Sequence, residues 1–484
     1  MSKIEKPNIF LLPTPVKTFF YDVNRNEFVP ISRKAGSTLA ELLRSPSDME
    51  MERVDCADAE LEELRGQGYL SPRTIANIHH PLTDYIEEIL DRHMSQVELQ
   101  VTQNCNFRCE YCVYTAPIPG VQRTHQNKRM SWETAKAAID YLWNHSCDAE
   151  GISVGFYGGE PLLEFELIKR VVEYSQKLFK GKLLQFSITT NASLLDDEKM
   201  SFCHEHDFHL IFSLDGPEEI QNRNRKLAGS SVGTYNMVSS KIKALVSRYP
   251  DYITSLGINM VVDPKDDLEK VFSIVQPGGE YDGIETLATL INDSSLQEKH
   301  TPTNKYRAEL EYHVFLSLLK KLKLMSLSFC SPLADIIVDN AMHTLEKKMI
   351  PTIEVPESTS TGGMCIPGVN KLFVTADGDL YTCERVNEPS KAGYLGSLLN
   401  GVDPERAKRL LNVADITAEE CKKCWAYRFC YSCVSHCDDG CDLSRPLRLR
   451  KCEQSKITIA YRMQIMLLSI QLPALLKNRK EGIL

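Results

Sequence analysis

At 484 residues the chain is too long for one hydrophobic core, and two to four domains are expected. Its 43% apolar and 25% charged residues exclude general disorder and fibrous repeats, and a net charge of -9 argues against a general nucleic-acid binder. Sixteen cysteines stand out in a chain whose start, "MSKIEKPNIFLLPTPVKTFF", breaks its only apolar run with Pro13 and Pro15 and so does not resemble a signal peptide. A cytoplasmic address is expected, where disulfides are rare and clustered thiols read as metal ligands.

Residues 1–72 read as a small module. "VKTFFYDV" and "NEFVPIS" are strand-like runs joined at Asn24-Arg25-Asn26, followed by helical patterns in "TLAELLR" and "DAELEELRGQGYL", the second stopping at Gly66 or Gly68. A strand hairpin followed by helices is a winged-helix-like plan. Residues 73–95 form a linker with a helix near Thr83 to His93, leading into the alternating strand "VELQVT". From 96 to 300 strand and helix signals alternate. The strand runs are "GISVGFYG", "LLQFSITT", "FHLIFSLDG", "SLGINMVVD" and "IETLATLIND", separated by helical patterns such as "SWETAKAAIDYLWNH". That alternation predicts parallel βα units in an open sheet or a full or partial barrel, with any site at the C-terminal strand ends.

Residues 301–364 read as a helical bridge, with Leu310, Val314, Leu318 and Leu322 on one face, closed by the loop "IEVPESTSTGGM". A cysteine-rich region follows at 365–455. Residues 456–484 end the chain with a helix whose Ile457, Tyr461, Ile465, Leu468 and Leu472 share a face. Interrupted by Arg462, Gln464, Gln471 and Pro473, it reads as a docking helix and not a membrane span.

Cys56, Cys147, Cys203 and Cys330 are scattered in apolar surroundings and read as core residues. Three thiols, Cys105, Cys109 and Cys112, share the loop "CNFRCEYC" directly after a strand, and nine lie between Cys365 and Cys452. Three thiolates on a tight loop can hold three irons of a cubane and leave the fourth without a protein ligand, whereas a structural zinc site would want four.

The Cys-x3-Cys-x2-Cys loop after the first barrel strand resembles that of radical S-adenosylmethionine (SAM) enzymes, which implies an α/β fold built on a partial (β/α)6 TIM-like barrel. It also implies that the open iron chelates the amino and carboxylate groups of SAM, and that an electron from the cluster breaks a carbon-sulfur bond to give a 5′-deoxyadenosyl radical that abstracts hydrogen from substrate. Other residues match that family. In "YGGEP", Gly158, Gly159 and Glu160 resemble the motif that receives the methionine amino group. Asn191, closing "ITTN", stands where relatives place a polar contact to SAM. In "FSLDGPEEIQNRNR", Ser213 and Arg225 resemble residues that bind the ribose and the methionine carboxylate, with Arg223 as the alternative to Arg225. The backbone of Tyr111 matches the position that meets adenine.

The second thiol group resembles the SPASM iron-sulfur domain. Cys365, twelve residues, Gly378, four residues and Cys383 open it, with Asp377-Gly378 at a hairpin turn. The resemblance implies one cluster on Cys421, Cys424, Cys430 and Cys452, and a second on Cys365, Cys383 and a crossing thiol. Position 434, where the family most often has cysteine, is Val, so the crossing ligand is Cys433, with Cys437 and Cys441 as alternatives. Three [4Fe-4S] clusters are thus implied, one SAM-binding and two auxiliary.

The first module resembles the leader-binding element of enzymes that modify ribosomally made peptides. There a leader peptide adds a strand to the module's sheet, and the runs Phe19-Phe20-Tyr21 and Phe28-Val29 would supply the edge. The expected function is maturation of a cysteine-containing precursor peptide with an N-terminal leader, forming intramolecular Cys-to-carbon thioethers as sactipeptide and ranthipeptide enzymes do. Carbon-carbon crosslinking or another oxidation, including the formylglycine formation of anaerobic sulfatase maturation, is the alternative. The expected electron donor is ferredoxin- or flavodoxin-like, and neither nucleic acid nor membrane is an expected partner.

Overall fold

In the computed structural model, residues 5–14, 17–44, 58–112, 114, 125–291, 300–363 and 365–480 are described. Cys56 lies outside them. The organising element is a ten-stranded mixed sheet. Six strands, Gln96–Thr102, Gly151–Gly158, Leu183–Thr190, Phe208–Ser213, Leu256–Val262 and Glu285–Leu290, run parallel in chain order. Helices Trp132–Asn144, Phe165–Leu178, Asp197–Glu205 and Tyr235–Arg248 alternate with them. Val97, Leu99, Val154, Phe156, Phe186, Ile188, Leu210 and Phe212 are buried in the same core as Ile139, Leu142, Ile168, Val172 and Ile242 of those helices. The other strand face carries Glu98, Gln100, Thr102, Ser153, Tyr157, Ser187, His209 and Ser213, so the concave side of this partial barrel is polar.

The barrel sheet does not stop at its first strand. Leu372–Val374 pairs parallel to Gln96–Thr102, and an antiparallel meander of Asp379–Tyr381, Tyr394–Ser397 and Gly401–Val402 continues outward. The expected hairpin turn at Asp377-Gly378 is present, with Gly378 at φ +89°. Glu98 is buried at this seam, 3.5 Å from Lys371. Burial pushes its carboxyl up to about 7, against the pull of Lys371.

The first module holds three antiparallel strands, Ile9–Pro13, Thr18–Asp22 and Glu27–Ile31, in that order, then helices Arg33–Arg44 and Ala59–Gly66. The short "IFLLP" strand is absent from the sequence reading. Its presence corrects the expected edge: Phe19, Phe20 and Tyr21 lie in the central strand, paired on both sides, and Phe28 and Val29 lie on an edge. The module is docked on the cysteine-rich region. Phe10 stacks on Trp425 at 3.7 Å and 7°, Tyr21 meets Phe429 edge-on at 5.5 Å, and Asn26 Nδ2 donates to the carbonyls of Lys348 (2.7 Å) and Ile350 (2.9 Å). Phe10→Ala is expected to weaken this docking by about 1–3 kcal/mol. Faster proteolysis within the first 72 residues at unchanged iron content would register it; protection equal to wild type would contradict it.

Helices Asn304–Lys321 and Pro332–Lys348 pack with the terminal helix Arg445–Lys480 in a second core. By length and composition that terminal helix could cross a membrane, but Ile459, Met463, Ile465, Met466 and Leu467 are buried against protein. Ile457, expected on the docking face, is 72% exposed; the stripe starts at Ile459 and steps by four and three to Met463 and Met466. Cys203 and Cys330 are buried as expected, whereas Cys147 is exposed on the turn after Trp132–Asn144.

Candidate active site

The first thiol loop leaves the C-terminal end of Gln96–Thr102, and three neighbouring strand ends close around it. Gly159 N donates to Thr102 O and Glu160 N to Asn104 O, both at 2.9 Å. The backbones approach so closely that a Cβ at Gly158 would collide with the Thr102 carbonyl and one at Gly159 with the Asn104 carbonyl; Gly158 also sits at φ +135°. The two glycines are therefore required by this seam.

Glu160 is 1% exposed. Its Oε1 accepts from Leu162 N (3.0 Å) and Thr190 Oγ1 (2.7 Å), and its Oε2 from Asn191 N (2.8 Å). Burial raises its pKa, and those donors oppose the rise. The carboxylate thus ties the second strand end to the third. Asn191 in turn reaches the loop: its Nδ2 donates to Asn106 Oδ1 at 2.9 Å and lies 3.9 Å from Cys105 Sγ. Ser213 closes the fourth strand, half-buried.

Behind the loop, Phe107–Cys109 pairs antiparallel with Arg225–Leu227, setting Cys109 opposite Arg225. Arg225 is 7% exposed, with Nη2 3.1 Å from Asp215 Oδ1 and its guanidinium 5.4 Å from the Tyr111 ring centroid. The Tyr111 hydroxyl donates to Asp215 Oδ2, and Val261 N to Asp215 Oδ1 at 3.1 Å. Burial holds the Tyr111 phenol protonated, well above its usual range, so it serves as the donor. Arg225 Nε is buried without a partner. Arg223 is turned away, in a bidentate pair with Asp266 at 2.8 and 2.6 Å. Asp215 was missed by sequence reasoning, because two residues past a strand and before Gly216 it reads as an ordinary turn residue. Asp215→Asn would leave a buried cation unpaired at a cost of about 3 kcal/mol. A lower thermal midpoint under anaerobic conditions is expected, and an unchanged midpoint would refute the pairing.

Burial pushes Cys105 and Cys109 up to about 12. Deprotonating such thiols requires a cation or metal beside them, and the three are within electrostatic reach of one another. The donor set fits a cluster with one open iron.

The described C-terminal thiols are all free, and seven of them fall into two neighbourhoods, although among the described residues no three metal-ligating side chains stand together as a formed metal site. Cys421, Cys424, Cys430 and Cys452 interact electrostatically, Cys424 with Cys430 and Cys421, and Cys452 with Cys421 and Cys430. Cys383 feels Cys433, and Cys437 feels Cys433. Cys365 and Cys441 are exposed. Four thiols match a fully ligated cubane in number and donor chemistry.

Residues 99–275 match the family model described as the radical SAM superfamily. The chain is 37% identical over 125 residues to an uncharacterized protein of Methanocaldococcus jannaschii, an alignment covering 26% of this chain and 40% of that protein. It is 24% identical over 350 residues to the cysteine-type anaerobic sulfatase-maturating enzyme of Clostridium perfringens, covering 70% of this chain and 88% of the relative. The solved structure of native anSMEcpe with bound AdoMet superposes with a TM-score of 0.55 at 20% identity, over 78% of this chain and 99% of the other. Residues 99–275 thus carry a radical SAM domain, and the parallel strands with the thiol loop at their C-terminal ends share the fold of that solved structure.

Proposed function

We propose that the protein modifies a cysteine-containing precursor peptide, forming intramolecular thioether bonds between a cysteine sulfur and a carbon of another residue. The observation that carries this reading is one chain joining three features: the three-thiol loop, nine further thiols, and a three-stranded module docked on the second of these. When bound, the cluster of Cys105, Cys109 and Cys112 together with SAM supplies one-electron cleavage of a carbon-sulfur bond and a carbon radical that takes hydrogen from substrate. Around that centre Gly158 and Gly159 present backbone to the methionine amino group, Asn191 and Ser213 offer polar contacts, and the Tyr111 backbone borders the adenine. Arg225, buried beside Cys109, contributes positive charge to the loop and keeps Nε available. The edge strand Glu27–Ile31 receives the leader as an added strand. Pro30 removes one donor from it, and because only alternate residues of an antiparallel edge strand turn N–H and C=O outward, the leader pairs with part of this strand. A small ferredoxin- or flavodoxin-like protein supplies the electron.

A second reading, formylglycine formation, is favoured by the similarity to the C. perfringens sulfatase-maturating enzyme over 88% of its length. Native anSMEcpe has a structure with bound AdoMet and the Kp18Cys peptide. Mass analysis of a co-expressed cysteine-containing precursor separates the two. Loss of two hydrogens per crosslink with cysteines that resist alkylation is the expected result. Loss of sulfur with a new aldehyde supports the second reading, and retention of every alkylatable thiol contradicts the thioether.

A further inference from the structure

Arg448 heads the fully buried side chains by volume and has no exposure at all. Its Nε donates to Thr417 Oγ1 at 2.9 Å, and its Nη1 to Ser432 O at 3.0 Å, with Ser432 Oγ at 3.4 Å and Cys437 Sγ at 3.6 Å. Its Nη2 is buried and has no partner. Thr417, Ser432 and Cys437 are themselves buried, and none of the hydrogen-bond partners is a carboxylate. A guanidinium keeps its charge in any protein interior, so burial without an anion is costly. The groups able to become anions around it are thiols: Cys437 Sγ lies 3.6 Å from Nη1, Cys421 Sγ lies 3.4 Å from the Thr417 Oγ1 that Nε holds, and Cys430 is within electrostatic reach. Cys452 and Cys430 feel Arg448 in return. These thiols belong to both neighbourhoods of the cysteine-rich region.

We propose that Arg448 is the shared counter-charge of two thiolate-held iron-sulfur clusters, a positioning residue lying between them that raises the reduction potential of both. The inference rests on the reading of the nine-cysteine region as an auxiliary-cluster domain. Thiolate-bound clusters are anionic, and a neighbouring cation favours the state carrying one more electron. The unpartnered Nη2 then has an anion to face, which explains a buried cation left without a carboxylate.

The test uses full-length protein in which Cys105, Cys109 and Cys112 are replaced by alanine, so that remaining iron signals belong to the C-terminal thiols. Anaerobic reconstitution should load this parent with about eight irons, and potentiometric electron paramagnetic resonance should give two midpoints. Arg448→Met is expected to move both midpoints to more negative potential, and Arg448→Lys to leave both near the parent values. Unchanged midpoints in an iron-loaded Arg448→Met variant overturn the proposal, and a shift confined to one cluster overturns the shared role. Should Arg448→Met fail to load, Arg448→Lys decides. Parent-like midpoints there uphold the charge role, whereas dropped midpoints or lost iron with the charge kept refute it. A parent that binds no iron sinks the reading of the nine-cysteine region instead.

Discussion

Cys109→Ala is expected to abolish SAM cleavage, with no detectable 5′-deoxyadenosine, while the iron held by the C-terminal thiols stays. Iron content should fall by about four per chain. Cys109 is the loop thiol best embedded in protein, 8% exposed, with Arg225 across the antiparallel pair and the Tyr111-Asp215-Arg225 cluster behind it. The nine C-terminal thiols lie beyond Met364, from the loop before Leu372–Val374 to the start of the terminal helix Arg445–Lys480, so losing one loop ligand does not reach them. Deoxyadenosine production that survives the substitution would place the SAM-cleaving centre elsewhere.

Gly159→Ala should be nearly as damaging, although it removes no ligand. The added methyl meets backbone, the Asn104 carbonyl, with the Cys105 Cβ at 3.1 Å, and backbone cannot swing aside as a long side chain would. Relief means separating the seam and losing the 2.9 Å hydrogen bonds from Gly159 N and Glu160 N, at a cost of about 3 kcal/mol. The displaced loop should lower SAM cleavage on the order of a hundredfold. Gly181→Ala is the control. Unlike Gly159 it has positive φ, at +94°, but nothing lies within 4 Å, so about 1 kcal/mol of backbone strain and wild-type cleavage are expected. Equal loss in both variants would mean that the collision at the seam is not what displaces the loop.

The contrast between those glycines marks where sequence suffices. The barrel was legible because period-2 strands and 3.6-period helices alternate over two hundred residues, and the apolar sets of its inner strands face the helices. "CNFRCEYC" was legible because ligand spacing is local. Asp215 was not, since its importance comes from Tyr111 and Arg225, brought to it by a strand pairing between positions 109 and 225. The strand Ile9–Pro13 escaped notice because five residues before a second proline carry too little period to separate from a loop. Its addition is what moves Phe19–Tyr21 from the edge to the centre of the sheet. On the terminal helix, the apolar residues are dense enough that two neighbouring stripes fit the pattern, and only packing chooses Ile459 over Ile457. The crossing thiol near Cys383 is a question of proximity, which spacing alone leaves among Cys433, Cys437 and Cys441.

Anaerobic reconstitution of the whole chain, followed by metal counting and assay of SAM cleavage under reduction, decides whether iron clusters or zinc fill these thiol sets. About twelve irons per chain and 5′-deoxyadenosine formation are the expected result, with three cubanes on the three thiol sets. Zinc in place of iron, with SAM left intact, would contradict it.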